Sequence, residues 1–162
     1  MVLGTSGDVV SRAKEMFVEA QWTPAMSTGV PDLDHQHKVL IAHLNRLTQA
    51  MSEGRGPEQL DETLDFLQLY AAKHFADEES DMAAWHCPAA EENKRAHAEF
   101  IDRFGLLRAE VRAAGATDGA VARTAYALST WLVLHIQGCD TQLRACIRQQ
   151  PCDAVEADQV EA

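Results

Sequence analysis

Apolar residues recur with a period near 3.6 in four long stretches of this chain, whereas period-two alternation and β-branched runs are scarce. Helices are therefore predicted and strands are not. The first stretch runs from about Pro31 to Met51, with Leu40, Ile41, Leu44, Leu47 and Met51 on one face. Pro31 and Asp32 suit a helix start, and Gly54-Arg55-Gly56-Pro57 suits its end. The second runs from about Pro57 to Trp85, carries Leu60, Leu64, Leu67 and Ala71, and breaks at Cys87-Pro88. The third, from about Ala89 to Ala114, carries Phe100, Phe104, Leu107 and Val111, with a turn beginning at Gly115. The fourth is expected as one helix from about Ala120 to Gln149, with Leu128, Trp131, Leu132 and Leu143 on its apolar face. Four helices joined by short loops predict an all-α, up-down-up-down antiparallel four-helix bundle over residues 21–150. Residues 1–20 form a separate N-terminal segment, where Val9, Val10, Ala13 and Phe17 suit a short amphipathic helix. Residues 151–162 are small and acidic and are expected as a flexible tail.

A length of 162 residues fits one domain with a real core, and 46% apolar content argues against global disorder. The formal charge of −11 speaks against nucleic acid or an anionic membrane as a main partner, because both require a basic surface. No apolar run is long enough to span a bilayer. Cys87, Cys139, Cys146 and Cys152 form no C-x-x-C pair, so a zinc ribbon or a thioredoxin-like motif is not supported. A cytoplasmic protein with reduced thiols is expected on these grounds.

Followed by helical spacing, each apolar face runs into a metal-type side chain. Leu40, Ile41 and Leu44 follow His37; Ala71 leads to His74 and then Glu78; Phe100 and Phe104 follow His97; Leu128 and Trp131 lead to His135. Imidazoles and carboxylates are costly to bury alone, so four imidazoles and a carboxylate converging in a small core call for something to bind. A metal site built from facing helices answers that need. His74 and Glu78 are one turn apart and reach one centre. His135 and Asp140 are five residues apart, which in an α-helix turns them by roughly 140°; Asp140 is then expected to reach sideways, as a bridge between two metals. Mixed imidazole and carboxylate donors suit iron, zinc or manganese, and composition does not choose among them.

Together these segments resemble the hemerythrin family. Gly29-Val30-Pro31-Asp32-Leu33-Asp34-His35-Gln36-His37, with Trp22 upstream, is similar to the family's opening motif. His74-Phe75-Ala76-Asp77-Glu78-Glu79 resembles its second motif. Asn93-Lys94-Arg95-Ala96-His97 matches H-x-x-x-H without its first histidine, and His135-Ile136-Gln137-Gly138-Cys139-Asp140 resembles H-x-x-x-x-D. The resemblance covers about residues 20–148, in the family's order and spacing. It implies two Fe ions bridged by Glu78, Asp140 and an oxo or hydroxo group, with O2 as ligand. One iron would take His37 and His74 and keep a position open for O2. The other would take His97 and His135, plus the position now held by Asn93, where an amide oxygen or a water replaces the imidazole. Trp131 and nearby leucines would wall the site against water and stray protons.

A labile position on each iron is expected to speed autoxidation and to admit small anions. Two functions follow. The first, favoured, is an O2-binding carrier or an O2 or redox sensor, the latter signalling through a protein partner. The second is a di-iron enzyme acting on peroxide, O2 or nitric oxide; iron storage or repair of iron centres is a weaker third. A monomer is expected, with a weak dimer through the N-terminal segment as the alternative. Gly138 inside the fourth helix costs roughly 1 kcal/mol against Ala and is expected to make room near the centre. His35 and His43 are expected as solvated helix residues, and Cys139 as a small apolar one. His86 and Glu92 are minor candidates for the site.

Overall fold

The computed structural model describes residues 19–149. The expectations for the amphipathic N-terminal helix and the acidic tail fall outside the described residues. The chain is an all-α, up-down-up-down four-helix bundle. Its long elements are α1 (Pro31–Ser52), α2 (Gly56–Ala84), α3 (Ala90–Ala114) and α4 (Asp118–His135). A π-helical segment, Ile136–Asp140, follows α4 without a break and leads into α5 (Gln142–Gln149). Helix α1 packs against α2 and α4, and α2 packs against α3.

Helix ends are set by local chemistry. Pro31 occupies the first turn of α1, where its missing N–H costs nothing. Asp34, one turn in, reaches back over the start of the helix: its Oδ1 accepts from the Thr28 N–H at 2.7 Å and its Oδ2 from Ser27 Oγ at 2.5 Å. Helix α2 ends at His86, which takes a left-handed φ of 48° although it is not glycine. The N–H groups of His86 and Cys87 then donate to the carbonyls of Ala83 (3.0 Å) and Met82 (2.8 Å), which closes the last turn as a Schellman motif. His86 is thus an exposed helix cap. Thr117 caps α4, its Oγ1 accepting from the Ala120 N–H at 3.3 Å.

The fourth long helix is not continuous, which corrects the expectation for residues 120–149. At Ile136 the backbone inserts a wide turn, and the Thr141 N–H donates to the Ile136 carbonyl five residues back, at 3.1 Å. Gly138 lies in this segment, but a Cβ built on it would meet nothing within 4 Å, and the residue is exposed. It faces solvent and makes no room near the centre.

Two apolar packings flank the middle of the bundle. The larger includes Leu40, Leu44, Leu47, Leu60, Leu67, Leu128, Leu132 and Ile136. The smaller, at one end, gathers Leu33, Met82, Cys87, Ala89 and Leu143. Cys87 and Cys146 are joined as a disulfide, Cα atoms 5.4 Å apart, so the expectation of reduced thiols throughout does not hold; Cys139 is free and half-buried. Arg144 donates from Nε to the Ser27 carbonyl at 2.7 Å, tying α5 to the strand of chain before α1. No helix among the described residues is long and apolar enough to cross a membrane.

Candidate metal centre

Between the two apolar packings lies a polar layer. Along α1, Leu33 and Leu40 flank His37; along α2, Leu67 and Met82 flank His74 and Glu78; along the fourth strand of helix, Ile136 and Leu143 flank Asp140. His37, His74, Glu78, Asn93, His97, His135 and Asp140 are all buried, none more than 7% exposed. Burial of this many polar groups is unfavourable unless each is partnered.

Their donor atoms converge as two sets. One is His37, His74, Glu78 and Asp140; the other is Glu78, His97, His135 and Asp140; within each set the nitrogens and oxygens lie within 4.8 Å of one another. Glu78 and Asp140 belong to both. Asp140 spans them, with Oδ2 at 3.2 Å from His37 Nε2 and Oδ1 at 3.1 Å from His135 Nε2. Glu78 Oε2 stands 3.4 Å from His97 Nε2. The π segment explains the spacing of His135 and Asp140. A turn closed over five residues brings both side chains to one face, so Asp140 does not reach sideways from a regular helix.

Outside partners fix the rings. Gln36 Oε1 is 2.8 Å from His74 Nδ1, and Glu79 Oε1 is 2.9 Å from His97 Nδ1. Both oxygens only accept, so each imidazole carries its proton on Nδ1 and turns the lone pair of Nε2 inward. Gln36 is itself held by its Nε2 donating to Asp77 Oδ2 at 2.7 Å. Aromatic faces complete the orientation: Phe75 stacks on His97 at 3.8 Å between centroids, and Trp131 stacks on His135 at 4.4 Å. Gln36 and Glu79 carry no mark in the sequence, since a polar residue beside a ligand reads as part of the solvated face. Their one signal is adjacency to His37 and Glu78. Replacing either by an apolar residue is expected to weaken metal affinity by roughly 10–100-fold without unfolding the bundle. Competition with a chelator, beside a circular-dichroism melt, checks this.

The charges respond to this crowding. Burial and the neighbouring His37 pull His74 down to about 3, which keeps it neutral. Burial pushes the Glu78 carboxyl up. Asp140 is held well below the usual carboxylate range, because contacts from His135 and His37 outweigh its burial. Burial lowers His97, but the Glu78 and Glu79 carboxylates overcome it and leave it raised.

The residues present fit a metal. Glu78 Oε1, His97 Nε2, His135 Nε2 and both oxygens of Asp140 are buried without a hydrogen-bond partner. Inward lone pairs on buried nitrogens and oxygens, with few protons to share among them, are satisfied by cations. A model of the family described as Hemerythrin HHE cation binding domain matches residues 28–146.

The chain belongs to the hemerythrin family.

The chain is similar to the bacteriohemerythrin of Stenotrophomonas maltophilia, 34% identical over 122 residues, covering 74% of this chain and 75% of that protein. A bacteriohemerythrin of Pseudomonas aeruginosa is 28% identical over 135 residues, covering 83% and 86%. The myohemerythrin of Riftia pachyptila is 26% identical over 119 residues, covering 74% and 86%. Membership in this family makes the chain a non-haem iron-binding protein.

The remaining candidates lie elsewhere. His35 is exposed, as expected. His43 is half-buried rather than solvated and stacks on Phe66 at 3.5 Å, its pKa lowered by burial and by Arg46. Glu92 is exposed and faces Arg95. Trp22 packs partly buried on the larger core, with Lys38 Nζ 4.0 Å above its ring.

Proposed function

We propose that this chain holds two irons and binds O2 reversibly, as a carrier or as an O2 or redox sensor. His37 and His74 would hold one iron and His97 and His135 the other, with Glu78 and Asp140 shared by both donor sets. The observation that carries this reading is the sharing of both carboxylates by two sets of buried imidazoles. A single-metal site would need no such sharing.

Ferrous iron, when bound, supplies the electrons by which O2 is held. The protein supplies placement and dryness. A cavity of about 20 Å³ is lined by apolar side chains that include Leu40, Leu44, Ala71, Phe75, Trp131 and Leu132, and two of these, Phe75 and Trp131, stack on His97 and His135. A space of this size admits roughly one small molecule, and an apolar lining keeps it free of water. Its walls are continuous with the ligands: Leu40 is one turn from His37, Phe75 follows His74, and Trp131 stacks on His135. Such a chamber suits an uncharged diatomic molecule and excludes the protons that would discharge it.

A second reading is a di-iron enzyme acting on peroxide, O2 or nitric oxide. Asn93 favours it, being fully buried where the family motif has an imidazole, so that one position on the His97 side is labile. Counting iron after anaerobic, reducing purification and then recording the visible spectrum as O2 is admitted separates the two. A charge-transfer band that bleaches on deoxygenation supports reversible binding. Direct passage to a stable diferric spectrum supports the enzyme or the redox sensor. An iron count of one or none per chain overturns the di-iron assignment.

A further inference from the structure

Asn93 lies in the first turn of α3, one turn before His97 and on the same face. It is fully buried. Its Nδ2 donates to Glu78 Oε2 at 3.0 Å and faces Met82 Sδ at 3.4 Å. Its Oδ1 is buried and has no hydrogen-bond partner. Turning the amide end for end would set a carbonyl oxygen against a carboxylate and a thioether, both acceptors, so hydrogen-bond chemistry fixes the orientation. The amide nitrogen is therefore committed to α2, and the carbonyl is left as a buried acceptor.

We infer that Asn93 is not a metal ligand but a specificity-determining residue, whose N–H steadies Glu78 Oε2 and whose carbonyl accepts a hydrogen bond from a small O–H-bearing ligand, water or hydrogen peroxide, entering beside His97 and His135. The inference rests on the di-iron reading and deepens it. With Asn93 withdrawn from coordination, the two metal positions acquire matching protein donors: two imidazoles each and two shared carboxylates. Their difference then lies in the surroundings. The Asn93 side carries a buried carbonyl oxygen with no hydrogen-bond partner, whereas on the His37 and His74 side the amide oxygen of Gln36 is already engaged at His74 Nδ1. A ligand with an O–H satisfies the Asn93 carbonyl. An aprotic anion such as azide leaves it unpaired and sets lone pairs against it. The Asn93 position therefore discriminates for proton-bearing ligands and against aprotic ones.

Azide titration of the diferric protein, after an iron count, tests this in the parent, Asn93→Leu and Asn93→His. The leucine is close to asparagine in shape and neither donates nor accepts. The parent and Asn93→Leu are expected to take the same number of azides per chain. In Asn93→Leu, azide at one position binds tighter by about tenfold, because the water it displaces is no longer held. Asn93→His, which supplies an imidazole ligand, takes one azide fewer than the parent. One more azide in Asn93→Leu than in the parent would show that Asn93 had been a ligand and would overturn the inference, as would an unchanged azide affinity. Should Asn93→Leu fail to fold, the parent and Asn93→His carry the test, and equal azide uptake by these two overturns it. A parent without two irons overturns the di-iron reading itself, and the iron count reveals that before azide is added.

Discussion

Glu78→Ala and Asp140→Ala are each expected to leave the protein with well below two irons per chain, and this is the largest effect of any single substitution in the site. The reason is topological. His37 and His74 serve one set of donors, and His97 and His135 serve the other, but Glu78 and Asp140 serve both. Losing one carboxylate takes a donor from each set at once, and it removes negative charge from a layer that, on the di-iron reading, balances two cations. Glu78→Ala also strips Asn93 Nδ2 of the oxygen it donates to at 3.0 Å. Asp140→Ala leaves the nitrogens of His37 and His135, each about one hydrogen-bond length from an Asp140 oxygen, facing a hole. His74→Ala, by contrast, depletes one set and spares the other. Metal analysis of desalted protein measures the effect, with circular dichroism to confirm the helices. Two irons retained in both carboxylate variants would remove the bridging assignment.

Asn93→His is expected to lengthen the lifetime of the O2 adduct by about tenfold, which corresponds to about 1.4 kcal/mol of barrier. Position 93 is buried and one turn from His97, so an imidazole there points into the set that holds His97 and His135. It would fill the labile position and shut out the water or anion that promotes loss of O2 in an oxidised form. Met82, an unbranched and adaptable side chain beside Asn93, is the neighbour that must give way to the larger ring. Stopped-flow spectra of the oxygenated protein decaying to the diferric state give the lifetime. If Asn93→His decays as fast as the parent, the asparagine is not the cause of the lability.

The bundle and most of its site are legible in the sequence because both rest on one periodicity. A helix that buries a stripe must also bury whatever interrupts it, so His37, His74, Glu78, His97 and His135 announce themselves by standing in line with leucines. Asp140 is legible only in part. Its offset of five from His135 is incompatible with an α-helical face, and that conflict is itself the trace of the π segment. A regular-helix reading turns the conflict into a sideways reach and mistakes Gly138 for a space-maker, although it points at solvent. Gln36 and Glu79 are legible only in three dimensions, since nothing but the fold tells an outward carboxylamide from one aimed at an imidazole 2.8 Å away. The Cys87–Cys146 pair is hidden for the same reason: the two are 59 positions apart and meet only because α5 returns beside the turn after α2.

That disulfide divides the candidate metal-binding residues in a way their geometry does not. His97, His135 and Asp140 lie inside the covalent ring it closes, together with Asn93, whereas His37, His74 and Glu78 lie outside. Ring closure of this length removes on the order of 4 kcal/mol of chain freedom from the unfolded ensemble in the loop-entropy model. His97 and His135, the imidazoles of one donor set, with Asp140, thus stay tethered neighbours even when the helices come apart. Those of the other are gathered only by packing α1 and α2 against the rest. Assembly of the two halves of the centre is therefore unequal: one half is partly pre-collected by connectivity, and the other waits for the bundle to close.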